Sequence, residues 1–237
     1  MQLMEERKNR LVYLIIMELA LFAVVVILDV PIFWMLSTSL KAKKEIFPSK
    51  PNFEAYVYVW NLVPFARYLF NSFFVATSVG VSRVILASMA AFAFAKISFK
   101  GSKQLFYVFL GTMMIPFEVI VILNYIIVKT LGWLDTYAAL IVPFSISAFS
   151  IFLLRQFFLG IPRDLDDAAE IDGAGKLRYL FTIVYPLAKP ALLTVGLYSY
   201  LESWNSFLWP LIVTNKDIMR VVQIGLAALG DKHIPIQ

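Results

Sequence analysis

Asp164, Asp166, Asp167, Glu170 and Asp172 crowd together directly ahead of Gly173-Ala174-Gly175-Lys176. Two chemistries suggest themselves, and spacing rejects both. A calcium loop sets its oxygen ligands at alternate positions and closes on a bidentate glutamate, a pattern this run lacks. A phosphate-binding loop needs glycine where Glu170 stands and a hydroxyl where Leu177 stands. The chain has one histidine, His233, and no cysteine. A histidine-based metal site or triad, thiol chemistry and disulfides are therefore excluded. No nucleophile, metal cluster or acid pair stands at usable spacing, so the chain does not read as an enzyme, and no cofactor motif is present.

What remains is polar groups inside apolar runs, where burial in hydrocarbon is costly and marks either function or helix contact. Glu118 and Asn124 lie close to Pro116, whose ring and missing amide can kink a helix and free a carbonyl. Glu202 and Asn205 stand three apart, on one helical face, with Trp204 and Trp209 beside them. A carbohydrate site needs amide or carboxylate groups for hydroxyls and flat aromatic faces for the ring. Glu202, Trp204 and Asn205 are thus candidate pathway residues, with Glu118 and Asn124 behind them. The other reading of the same residues is interhelical hydrogen bonding, with the tryptophans in an interfacial belt. Arg83, also inside an apolar run, snorkels or pairs with an acid and is given no transport role.

The elements that position these groups are membrane spans. Of 237 residues, 60% are hydrophobic and only 16% charged, and the mean hydropathy is +0.77, whereas soluble domains carry about a quarter charged residues. Apolar segments run over 11–35, 68–94, 105–128, 138–154 and 191–213. At a rise of ~1.5 Å per residue each reaches across a core of ~30 Å, the fourth only barely. The expectation is an all-α polytopic membrane protein with five transmembrane helices. The first segment is too long, and too acidic with Glu18 and Asp29, to be a cleaved secretory signal. Ala87, Ala91 and Ala95 give the second a small-residue face for close packing. With the N-terminus inside, the Lys and Arg residues of the inner segments, Lys96, Arg155 and Arg178 among them, slightly outnumber those outside. The net charge of +5 reads as membrane-flanking charge, not as a nucleic-acid footprint.

The charged stretch between the fourth and fifth segments reads as two short helices. Pro162 suits a first turn, the acids sit at the positive dipole end, and Gly173 and Gly175 end the helix. Leu177, Leu180, Phe181 and Val184 then make one apolar stripe, which Pro186 stops. Such a knob fits a groove on a soluble partner; the other reading is a helix pair lying on lipid headgroups.

An acid, two alanines, Asp-Gly-Ala, then Phe, Ile and two prolines at set distances form a pattern filled here by Asp167, Ala168, Ala169, Asp172, Gly173, Ala174, Phe181, Ile183, Pro186 and Pro190. It resembles the cytoplasmic docking loop of the permease subunits of binding-protein-dependent ABC importers, where the leading acid is usually Glu. Other fragments fit in order. Ser39-Leu40-Lys41 with Glu45-Ile46-Phe47, Asn71-Ser72, Met113-Met114-Ile115-Pro116 and Ser203-Trp204-Asn205 are similar to the maltose-type carbohydrate permeases, specifically the smaller partner of the permease pair.

The resemblance implies a type I permease fold with a region 1–66 of N-terminal cytoplasmic tail, first helix and external loop. A permease core at 67–237 follows, with its docking loop at 159–190. It also implies the following expectations. The chain sits in the bilayer of a bacterial cytoplasmic membrane with its N-terminus inside. It translocates a sugar or related polyol and works with a second permease subunit, two ATP-binding subunits and an extracytoplasmic sugar-binding protein. ATP is used by the partner ATPase, and this chain binds no cofactor. Such permeases commonly have six spans, so a sixth is expected beyond the C-terminus, the alternative being a true five-span protein. A different mechanism, an ion-gradient-driven secondary transporter, would make Glu118 and Glu202 coupling residues.

Overall fold

In the computed structural model, residues 2–41 and 51–231 are described; Glu45, Ile46, Phe47 and His233 lie outside them. The described residues are helical or irregular, and they form two compact units, 1–62 and 63–237.

The first unit holds α1 (Gln2–Ser39) and α2 (Glu54–Leu62). α1 continues through Pro31, which membrane helices tolerate, and its Thr38 hydroxyl returns to the Trp34 carbonyl at 2.9 Å. Its stretch Tyr13–Ser39 is apolar and long enough to span a bilayer. α2 is started by Asn52, whose side-chain oxygen accepts the Glu54 amide at 2.8 Å.

The second unit is organised on α3 (Phe65–Lys96), the other helix long and apolar enough to cross on its own. After it come α4 (Ser102–Thr112), α5 (Phe117–Thr130), α6 (Tyr137–Ile141) and α7 (Ala148–Leu159). The loop helices are α8 (Asp164–Ile171), α9 (Lys176–Tyr179) and α10 (Tyr185–Leu187), the last two joined by a π-turn over Leu180–Val184. α11 (Lys189–Trp204), α12 (Leu208–Val213) and α13 (Val222–Asp231) complete the order. The Ala87 and Ala91 face of α3 is fully buried, as the small-residue spacing predicts. It packs with Leu154 and Phe158 of α7, Val195 of α11, and Leu180 and Val184 of the loop. A second cluster, at the other end of α3, joins Val75 and Val79 to Leu140, Trp209 and Val213.

Three apolar segments are bent or broken, the third at the proline whose kink the sequence leads one to expect. The third breaks between α4 and α5 by 97°, at Pro116, which is extended (φ −61°, ψ 142°) and supplies no amide. The fourth bends by 43° between Tyr137–Phe144 and α7. The fifth, read as one helix over 191–213, is two: α11 ends where Asn205 caps it, and α12 starts at Leu208. α11 is instead joined to the loop helix Lys176–Leu187 through an 85° bend. Counting each bent pair as one, the described residues hold up to five spans.

Candidate functional site

The loop 159–190 begins just after Phe158, fully buried in the first cluster, with the Leu165 and Asp166 amides donating to the Pro162 and Arg163 carbonyls where α8 starts. Asp164, Asp166 and Asp167 fill the first turn of α8, where their charge meets the unpaired amides. Its end is a Schellman closure. The Gly173 amide bonds the Glu170 carbonyl at 3.1 Å, and the Ala174 amide bonds Ala169 at 2.9 Å. Gly173 has φ +68°, which a residue with a side chain resists. Gly175 differs from expectation: it does not end α8 but stands extended as the N-cap of α9.

The apolar stripe is also redrawn. Leu180 and Val184 are buried as expected, but Tyr179 joins them, whereas Leu177 and Phe181 stay exposed. Leu180 and Val184, at the two ends of a π-turn, lie where the spacing puts them, while Leu177 ahead of it and Phe181 within it do not. Pro186 does not stop the helix. It lies inside the continuous helix Lys176–Leu187, just past the π-turn, and the chain turns two residues later at Ala188, ahead of Pro190. Of the pattern residues, Asp167, Ala168, Asp172 and Gly173 are exposed, Ala169 is buried, and Ala174 and Ile183 pack against the core. Phe181 lies edge-on to Tyr185 with ring centres 4.9 Å apart.

The base of the loop is held by groups that the sequence showed only as bystanders. Lys96, the last residue of α3, donates to the Ile161 carbonyl and to Asp166 Oδ2, both at 2.9 Å. The Tyr179 hydroxyl donates to Asp166 Oδ1, and the Phe92 ring sits 5.9 Å from that of Tyr179. Burial raises the Tyr179 pKa well above the ordinary phenol value, and the hydrogen bond and charge of Asp166 add to it. One turn up α3, the Ser88 and Tyr185 hydroxyls share a hydrogen bond of 2.5 Å. In the sequence Lys96 reads only as a flanking cation and Asp166 as helix-start charge. A partner 70 positions away leaves no local signal.

The membrane-depth polar residues fall into separate places. Glu202 ion-pairs with Arg83 across α11 and α3, and Arg83 Nε donates to the Phe144 carbonyl at 2.6 Å. The Arg83 side chain is 6% exposed and that of Glu202 is 50% exposed. They share a cavity of about 50 Å³ with Ser72, Ser203, Ser206 and Trp209. Asn205 turns away, its amide donating to the Leu201 carbonyl at 2.8 Å as a helix-end cap. Trp204 stacks on Tyr200 at 5.8 Å. Trp209 is buried, with Nε1 donating to the Ala139 carbonyl at 2.8 Å, so it belongs to the core and not to an interfacial belt. Glu118, exposed in the first turn of α5, and half-buried Asn124 are not brought to the Glu202 cavity.

Bent apolar helices around one long axis, with a short helical knob at one end, define a class: the multi-pass helical permeases of membrane transport. Residues 83–228 match the family described as binding-protein-dependent transport system inner membrane component, and the chain belongs to that family. It is accordingly a multi-pass membrane transport component and not an enzyme. It is similar to the sn-glycerol-3-phosphate transport system permease protein of Brucella abortus (strain 2308), 39% identical over 169 residues. That match covers 71% of this chain and 60% of the relative. It is also similar to the arabinooligosaccharides transport system permease protein of Bacillus subtilis (strain 168), 34% identical over 209 residues, covering 84% of this chain and 74% of the relative. Among solved structures, a bacterial ABC transporter involved in the import of the acidic polysaccharide alginate superposes with a TM-score of 0.80 at 25% identity. That superposition covers 92% of this chain and 79% of the other.

Proposed function

We propose that this chain is a membrane-spanning permease subunit of an ATP-driven importer for a carbohydrate or related polyol. It sits in the bacterial cytoplasmic membrane with its N-terminus and the 159–190 loop inside. Its partners are a second permease subunit, two ATP-binding subunits and an extracytoplasmic binding protein. The observation that carries the reading is the division of the loop. Its base is locked into the core by Lys96, Asp166 and Tyr179, while Asp167, Ala168, Asp172 and Gly173 are left exposed at its tip. An exposed tip on an anchored base suits a docking element, with the tip making the contact to the partner. ATP closure of the partner dimer would draw the docking helices together and shift the spans between inward and outward access. The sugar or polyol class is supported by the relatives, whose names concern glycerol phosphate, arabinooligosaccharides and alginate.

The test is uptake into vesicles carrying this chain with the subunits encoded beside it. Uptake should require the binding protein outside and hydrolysable ATP inside, and should survive collapse of the ion gradients. Uptake that continues without ATP and stops when the gradients are collapsed would establish the ion-driven alternative instead.

A further inference from the structure

We infer that Lys96, Asp166 and Tyr179 form a joint through which movement of the docking loop reaches α3, an inference that rests on the docking reading. The chain itself ties the loop only to α7 and α11, which precede and follow it. α3 is the axis on which both of those helices pack, yet it has no covalent link to the loop.

Asp166 supplies that link with both carboxylate oxygens: Oδ2 takes Lys96 of α3, and Oδ1 takes Tyr179 of α9. Lys96 also holds the Ile161 carbonyl ahead of α8, so one ammonium grips the loop at two points. Its side chain is only 6% exposed, which separates it from the Glu170–Lys176 pair, more than half exposed on the loop surface. An exposed pair of that kind contributes little and yields easily, whereas a buried, doubly bonded one holds its geometry. The space left among Phe92, Lys96, Asp166, Ala169 and Tyr179 holds about 10 Å³ for water, no more than a single molecule needs, so these groups are closely packed. Through the joint a shift of α8 carries the end of α3 with it.

The distinguishing quantity is substrate imported per ATP hydrolysed, measured on the assembled transporter in vesicles with Lys96→Met, Asp166→Asn, Tyr179→Phe and the exchange of Lys96→Asp with Asp166→Lys. Lys96→Met and Asp166→Asn keep the shape of the side chains and remove the charge. The joint predicts unchanged co-purification of the ATP-binding subunits, continued hydrolysis, and import per ATP lower by about tenfold, within the usual range for coupling between sites. Tyr179→Phe should fall between, and the exchange should restore part of the ratio. Import per ATP unchanged in Lys96→Met and Asp166→Asn overturns the inference. So does a parallel fall of yield, hydrolysis and import that the exchange does not repair, which is the mark of a merely structural contact. Failure of the unaltered chain to retain ATP-binding subunits would instead remove the docking reading beneath it.

Discussion

Glu202 is the residue at which the sugar-pathway and helix-contact readings meet. Its partner Arg83 is buried, so removing the carboxylate leaves a guanidinium with the Phe144 carbonyl and little else in a small cavity. Glu202→Ala should therefore lower the stability of the purified protein by about 1 kcal/mol, after allowance for a half-exposed carboxylate. Asn205→Ala, which loses one bond at a helix end, should cost less. Thermal unfolding and uptake measured on the same variants separate the readings. Normal stability with lost uptake in Glu202→Ala would make the residue part of the path. Gly225 is a packing case: a Cβ there would stand 2.3 Å from the Tyr68 ring, and that ring is buried. Gly225→Ala should destabilise by about 1–3 kcal/mol, the usual cost of overpacking, and an unaltered melting midpoint would show that the ring gives way.

Asp135, at φ +59°, accepts the amides of Asn215 and Lys216 at 2.5 and 2.8 Å. The hydrogen bond from the Lys216 amide is the main cause that holds its pKa below the ordinary carboxylate value. A depressed carboxylate contributes stability above its unfolded value and loses it as pH falls through its folded one. Asp135→Asn, which keeps the left-handed backbone and an acceptor, should melt earlier than the unaltered protein at neutral pH. The difference should close as pH falls through the depressed titration of the carboxylate. A difference independent of pH would mean that the charge is not what the two amides use.

Among the elements, the α8 end is the one most fully legible in the sequence. Asp-Gly-Ala announces a helix end with a left-handed residue, and Gly173 provides it with both Schellman bonds. Gly173→Ala should cost about 1 kcal/mol from the backbone alone, and Gly173→Pro, which cannot reach φ +68°, should abolish the turn. The full chain carrying Gly173→Pro or Asp172→Arg should still enter the membrane but lose the ATP-binding subunits on purification. Retention of those subunits with normal uptake would sink the docking assignment. Other elements were hidden for physical reasons. Apolar composition reports the surroundings of a segment, not its continuity, so the break at Asn205 left 191–213 looking like a single rod, whereas Pro116 marked the kink in 105–128. The burial of Tyr179 in place of Leu177 depends on packing against Phe92 of α3, which local spacing does not carry. Lys96, Asp166 and Arg83 were visible as charges, but their pairing depends on contacts between distant helices.

At the scale of the molecule, α3 joins the two ends of its unit. Near one end Asn71 donates to the Ile218 and Arg220 carbonyls at 2.9 and 2.8 Å, and Ser72 accepts the Val222 amide at 2.8 Å. At the other end Lys96 holds the loop. One rigid helix, tied at both ends, is a means for events at a docking site to be felt across the membrane. The chain contains no cysteine, so a single one placed in the loop reports on its neighbour without interference. Arg178→Cys, on an exposed face of α9, should cross-link to a cysteine introduced on the ATP-binding subunit, and should react with a membrane-impermeant thiol reagent only from the cytoplasmic side. Lys216→Cys, beyond α12, should do neither. A cross-link from Arg178→Cys that changes in yield when ATP is bound is the result that the docking mechanism predicts. No cross-link, or labelling of Arg178→Cys from outside, would contradict it.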